Sequence, residues 1–131
     1  MIRKDTDYAM RMLAHLAENE LQDFISVKTI AKEQDVPTDY AYKIIRKLNT
    51  AKITKSQVGA HGGVMLNKEL KFITLRDVIE AIQGSIYISE CVLNSGICSR
   101  NPVCKFSPRW AAIQQELMCT LEKTTLADIL N

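Results

Sequence analysis

Long apolar runs are absent from this 131-residue chain. No stretch approaches the ~18 consecutive apolar residues that a membrane-crossing helix needs, so no membrane association is expected. The opening segment, MIRKDTDYAMRMLAHLAENEL, is broken by charge throughout and lacks the apolar core of a secretory signal. The expected compartment is therefore the cytoplasm, where structural disulfides are rare. Internal repeats and low-complexity linkers are missing. No nucleophile–base pair, phosphate-cradling glycine loop or metal-hydrolase motif is found, which argues against an enzyme. Net charge is only +2, so the total excludes no partner and only its distribution can inform. Another absence is local. From Tyr40 to Lys68 there is no aspartate or glutamate, while Lys43, Arg46, Lys47, Lys52, Lys55 and Lys68 all lie in that segment.

What is present fits one well-buried core with an extension. Tyr8, Met12, Leu13, Leu16 and Ala17 recur at helical spacing and predict a helix over about Asp5 to Asn19. Ser26 is a candidate N-cap for a short helix in SVKTIAKEQD, which Pro37 separates from the next. In PTDYAYKIIRKLNTA, Ala41, Ile44, Ile45 and Leu48 define an inner face. Asp39, Tyr42, Lys43 and Arg46 define an outer polar one. Two short helices joined by a tight turn match a helix-turn-helix. ITKSQV and VMLN then read as strands around the glycine-rich tip GAHGG. Thr74 is placed to cap a helix that stops at Gly84. A last long helix over about Pro108 to Lys123 carries a stripe of Trp110, Ile113, Leu117 and Leu121, suited to packing on another helix. The expected fold is mainly α with a small β-hairpin: a winged helix-turn-helix over 1–70, then a cysteine loop and dimerisation helix over 71–131, forming one continuous unit.

A charge run alone is more often a solvated face than a binding site. Here it coincides with a helix-turn-helix and a wing, which turns the reading toward double-stranded DNA. Thr38, Asp39, Tyr42 and Lys43 are the candidates for base edges in the major groove. Arg46, Lys47, Lys52 and Lys55 are candidates for phosphates, and His61 for the minor groove or backbone. So small a footprint implies a homodimer, and two-fold symmetry implies a roughly palindromic operator.

CVLNSGICSRNPVC, Cys91 to Cys104, holds three of the four cysteines. Taken alone, it fits a metal site, a disulfide with one thiol left over, or three small buried residues. A reducing compartment favours metal or redox chemistry. Cys119 lies opposite the Trp110–Leu121 stripe and is expected to be a small buried residue. His15 is expected to be structural.

Taken together, these segments resemble the Rrf-two family of bacterial winged-helix transcriptional regulators over nearly the whole chain. The resemblance rests on DYAMRMLAHLA, IAKEQDVPTDYAYKIIRKL, SQVGAHGGVML, ITLRDVIEAIQG, the three cysteines and TTLADIL, in that order. It implies an iron–sulfur cluster, 4Fe–4S or 2Fe–2S, held by Cys91, Cys98 and Cys104, as in the NsrR-like and IscR-like branches. Other members lack the cysteines and repress without a cluster. The spacing here is six residues and then five, where five and five is common in the family. IscR-like members complete the site with a histidine at the position of Ser107. NsrR-like members use an aspartate of the partner chain, which corresponds to Asp7. The alternatives for Asp7 are a first-turn acid favoured by the helix dipole or a partner for Arg11. Many members carry an arginine in the wing where this chain has Val58. The implied function is operator binding controlled by the cluster, in response to nitric oxide, redox state or iron–sulfur status. Within the same fold, a cluster-free or zinc-bearing repressor is the alternative, with zinc on the cysteines and Asp7. A small redox carrier is a third reading, against which the basic helix and wing argue.

Overall fold

The computed structural model describes residues 1–93, 99–100 and 103–130. The first helix, α1, runs Lys4–Glu18 and buries Tyr8, Ala9, Met12, Leu13 and Leu16. α2 (Val27–Glu33) begins at Ser26, whose hydroxyl accepts from the Thr29 amide at 3.1 Å. α3 (Thr38–Thr50) buries Ala41, Ile44, Ile45 and Leu48, the inner face its periodicity predicts.

α2 and α3 stop in the same way. After α2, the amides of Asp35 and Val36 reach back to the carbonyls of Lys32 and Ala31. After α3, those of Lys52 and Ile53 reach Asn49 and Leu48. Both are Schellman closures, which need a left-handed residue just past the helix, usually glycine. Here Asp35 (φ 54°) and Lys52 (φ 62°) fill those positions. Val36 and Ile53, the residues that follow, are buried in the core. This double stop makes the turn between α2 and α3 short and starts the wing directly beneath the end of α3.

The wing is an antiparallel pair, β1 (Thr54–Gln57) and β2 (Gly63–Leu66), in register from Thr54–Leu66 to Gln57–Gly63. An isolated bridge between Ile25 and Val64 ties it to the segment before α2, with amide–carbonyl distances of 3.0 and 2.8 Å. Gly63 (φ 150°) is required there, because a β-carbon on it would lie 2.2 Å from the Ile25 carbonyl oxygen. Asn67 braces the other end, its side chain donating to the Lys52 carbonyl and its amide to that of Ile53.

A single 3-10 turn (Leu70–Phe72) leads into α4 (Leu75–Gln83). Thr74 and Asp77 form a full capping box on α4, worth about 1 kcal/mol, and Gly84 (φ 77°) ends the helix. Gln83, in its last turn, holds the start of α1. Its side-chain oxygen accepts from the Arg3 amide and the buried Thr6 hydroxyl, and its nitrogen donates to the Met1 carbonyl.

Beyond Gly84 come α5 (Glu90–Leu93), α6 (Ser107–Lys123) and α7 (Leu126–Leu130). α5 is a departure from expectation: Cys91 sits in a short helix rather than in irregular chain. α6 packs on α4 and α5 but contributes nothing to the hydrophobic core. Among the described residues of α6 only Gln114 is buried. Its side chain donates to the Ile86 carbonyl at 2.7 Å and accepts from the Ile88 amide at 3.0 Å. The predicted stripe is half-covered, with Trp110 still 41% exposed. Cys119 is exposed, contrary to expectation. α7 returns to the core through Leu126, beside a bridge joining Thr125 to Thr74. No helix among the described residues is long and apolar enough to cross a membrane.

Candidate nucleic-acid interface and cysteine site

The inner face of α3 is buried, so helical geometry turns its other side outward. Thr38, Asp39, Tyr42, Lys43 and Arg46 are all exposed, Tyr42 at 45% despite its ring. Lys55 and His61 are exposed on the wing, and Val58 at its tip is 94% exposed. Between helix and wing lies a groove of about 470 Å³, lined by Tyr42, Arg46, Asn49, Ser56, Gln57 and Val58 among others. Both walls belong to the carboxylate-free segment. One exposed surface therefore presents a helix, a carboxylate-free groove and an extended tip side by side.

Lys47 is placed differently from the other basic candidates. Its ammonium donates to the Ile82 carbonyl at 2.9 Å, in the last turn of α4. A cation at a helix C-terminus meets unpaired carbonyls and the negative end of the dipole, so this is a cap for α4. Lys47 points toward α4 because it follows the outer stripe by one residue, a rotation toward the packed side.

α1 is joined to the helix-turn-helix by a short polar and aromatic strip. The Tyr8 and Tyr40 rings meet edge to face, 5.9 Å between centroids, and Arg11 stacks on Tyr8. Arg11 also donates to the Gln34 carbonyl at 3.3 Å, and the Gln34 amide group bonds His15 Nδ1 at 3.1 Å. His15 thus has a structural partner. Asp7, exposed one turn before Arg11, accepts from its guanidinium at 2.6 and 3.1 Å.

Cys91 and Cys104 are half-buried free thiols, with Ser89 Oγ 3.1 Å from Cys91 Sγ. Cys98 lies outside the described residues. Among the described residues no His, Cys, Asp or Glu cluster is assembled for a metal. Ser107 is the first residue of α6.

Four polar residues escape a sequence reading: Asn49, Asn67, Gln83 and Gln114. Gln114 follows Trp110 by four positions and precedes Leu117 by three, so the stripe's own spacing places it on the covered face. The other three carry no periodic signal. Their partners are set by where distant elements meet.

A family model described as "Rrf2: Iron-dependent Transcriptional regulator" matches residues 2–131. The chain is similar to Protein rrf2 of Nitratidesulfovibrio vulgaris, 32% identical over 94% of this chain and 82% of that one. It is 25% identical to the transcriptional regulator NsrR of Bacillus subtilis, over 95% of this chain and 86% of the other. Among solved structures, CymR, the global cysteine regulator of B. subtilis, superposes with a TM-score of 0.79 at 26% identity, covering 99% and 95% of the two chains. IscR of T. potens gives 0.73 at 26% identity, covering 99% and 85%.

Proposed function

The chain belongs to the Rrf2 family of transcriptional regulators, and from that premise we propose a homodimeric, cluster-controlled operator-binding protein. Its family and relatives are regulators of transcription, not enzymes. The DNA half of the reading rests on one observation: the carboxylate-free segment from Tyr40 to Lys68 is folded into an exposed helix, groove and wing. Thr38, Asp39, Tyr42 and Lys43 read base edges, while Arg46, Lys52 and Lys55 hold phosphates. His61 reaches toward the minor groove or backbone. The half-covered stripe on α6, outside the core, supports a second copy as its cover. A symmetric pair then meets a roughly palindromic site.

Cys91, Cys98 and Cys104 are the proposed ligands of an iron–sulfur cluster, with Asp7 of the partner chain as the fourth. The donor chemistry fits, since soft thiolates suit such clusters, and Cys91 and Cys104 are free of disulfides. Bound there, the cluster supplies a reactive junction whose potential depends on its ligands and exposure. Asp7 is exposed near the start of α1, open to a second chain. Its partner Arg11 touches Tyr8 and the Gln34 carbonyl. A change at Asp7 is therefore passed to the turn before α3. Two recognition helices must meet half-sites about 34 Å apart at once, so a small tilt of each alters affinity.

The test compares anaerobically purified protein, apo-protein and Asp7→Ala, each by visible spectrum and by binding to a duplex selected from a random library. Expected are a brown protein, different affinities with and without iron, and altered behaviour for Asp7→Ala. Equal binding by all three would remove the switch. The Asp7–Arg11 pair within one chain favours a second reading, a cluster-free repressor. Colourless protein that binds DNA regardless of iron supports it.

A further inference from the structure

The α3–wing groove is crossed by one side chain. Asn49, half-buried in the last turns of α3, accepts from the Thr54 hydroxyl at 2.6 Å and donates to the Ser56 hydroxyl at 2.8 Å. Thr54 and Ser56 are alternate residues of β1 and so face the same side of the strand. Thr54 is only 2% exposed, so its hydroxyl serves Asn49 and cannot touch a ligand. Outside this clamp, β2 is held opposite Ser56 by the Ile25–Val64 bridge, and the base of the wing by Asn67 on the Lys52–Ile53 turn. Those contacts tie the wing to the segment before α2 and to its own base, not to α3. Among the described residues, Asn49 is the side chain whose hydrogen bonds tie β1 to the reading helix.

We infer that Asn49 is a positioning residue that sets the angle between the recognition helix and the wing, and through it selects operators by groove geometry. The inference rests on the DNA-binding reading. A helix in the major groove and a wing over the adjacent minor groove straddle one phosphate strand. Those grooves are about 12 and 6 Å wide, and their widths vary with sequence. A wing fixed to α3 accepts only duplexes whose spacing matches. A wing free to swing accepts more of them, each less tightly. The tip lacks an arginine at Val58 to draw it into a narrow groove, which leaves placement to the clamp.

The experiment uses full-length protein and a duplex selected from a random library by the wild type. Hydroxyl-radical footprints, affinities and thermal midpoints are recorded for wild type, Asn49→Ala, Thr54→Val and Asn67→Ala. In Asn49→Ala, protection on the minor-groove side fades while that over the α3 contacts persists. Affinity for the selected duplex falls about tenfold, and the spread of affinities across mismatched duplexes narrows. Thr54→Val reproduces part of this loss from a buried position, and the double variant is less than additive. Asn67→Ala, the stability control, lowers the midpoint but keeps wing protection. Retained wing protection in Asn49→Ala, or equal loss in Asn67→Ala at the same midpoint, overturns the inference. A wild type that selects no duplex at all overturns instead the DNA-binding reading beneath it.

Discussion

Thr74 and Thr125 face one another across an isolated antiparallel bridge, and each opens a helix with the same pattern, Thr-Leu-x-Asp. In TLRDVI the Thr74 hydroxyl accepts from the Asp77 amide, and the Asp77 carboxylate accepts from the Thr74 amide. In TLADIL, Thr125 and Asp128 repeat both bonds at 3.2 and 2.8 Å. The flanking amides cross over, Leu75 to the Thr124 carbonyl and Leu126 to that of Ile73. Two helix starts thus seal each other and dock the last turn of the chain on the core.

The Thr125 amide, and secondarily its hydroxyl, holds the Asp128 carboxyl below its ordinary value of 3.8. A lowered folded value means that its contribution to docking is present above the unfolded value and lost as pH falls through the folded one. Carboxyl NMR should show Asp128 titrating below 3.8. Exchange of the Leu126 amide should accelerate over that acidic window. In Asp128→Asn the acceleration loses its pH dependence.

Gly63→Ala should be among the most damaging single-methyl additions. The new carbon meets the Ile25 carbonyl oxygen at 2.2 Å, backbone against backbone, so the Ile25–Val64 bridge must open. A loss on the order of 2–4 kcal/mol is expected by chemical denaturation. Gly59→Ala meets nothing within 4 Å and is strained only by its φ of 112°. Its cost should be about 1 kcal/mol.

Lys52 closes α3 in a conformation that costs a β-carbon-bearing residue roughly 1–2 kcal/mol. Lys52→Gly should raise stability by about 0.5–1 kcal/mol, part of the gain being offset by unfolded-state entropy. DNA affinity should fall in the same variant through the lost charge. Lys52→Asn, which tolerates the left-handed region, should lose the affinity with less gain in stability.

Lys47 and Arg46 are adjacent cations with different fates. Arg46→Ala should reduce the slope of log affinity against log salt by about one. Lys47→Met should leave that slope unchanged and lower the thermal midpoint, because its ammonium caps α4 at Ile82 rather than facing a phosphate. Equal slope changes in both variants would contradict the placement.

Helix faces were legible where burial has a period. Met12, Leu13, Ile44, Ile45 and Leu48 are all in the core that their spacing predicts. The wing was legible from its glycines, and the outer face of α3 from what the inner face left over. Lys47 and Asn49 were not, since each takes its role from an element distant in sequence or folded over it. The burial expected of Cys119 failed for a related reason: a face opposite a stripe is covered only if some element lies there. Asp7 is the informative intermediate case. Its pairing with Arg11 follows from i, i+4 spacing, whereas a ligand role depends on a second chain.

α6 leaves the core after α4 and hands the chain back at Leu126, having placed no side chain among the core residues. The winged half should open last, and α6 at lower free energy. A protease should cut there first. The nicked product should not fall apart at once, because α7 stays seated through Leu126 and the facing Thr-Leu-x-Asp caps of α4 and α7.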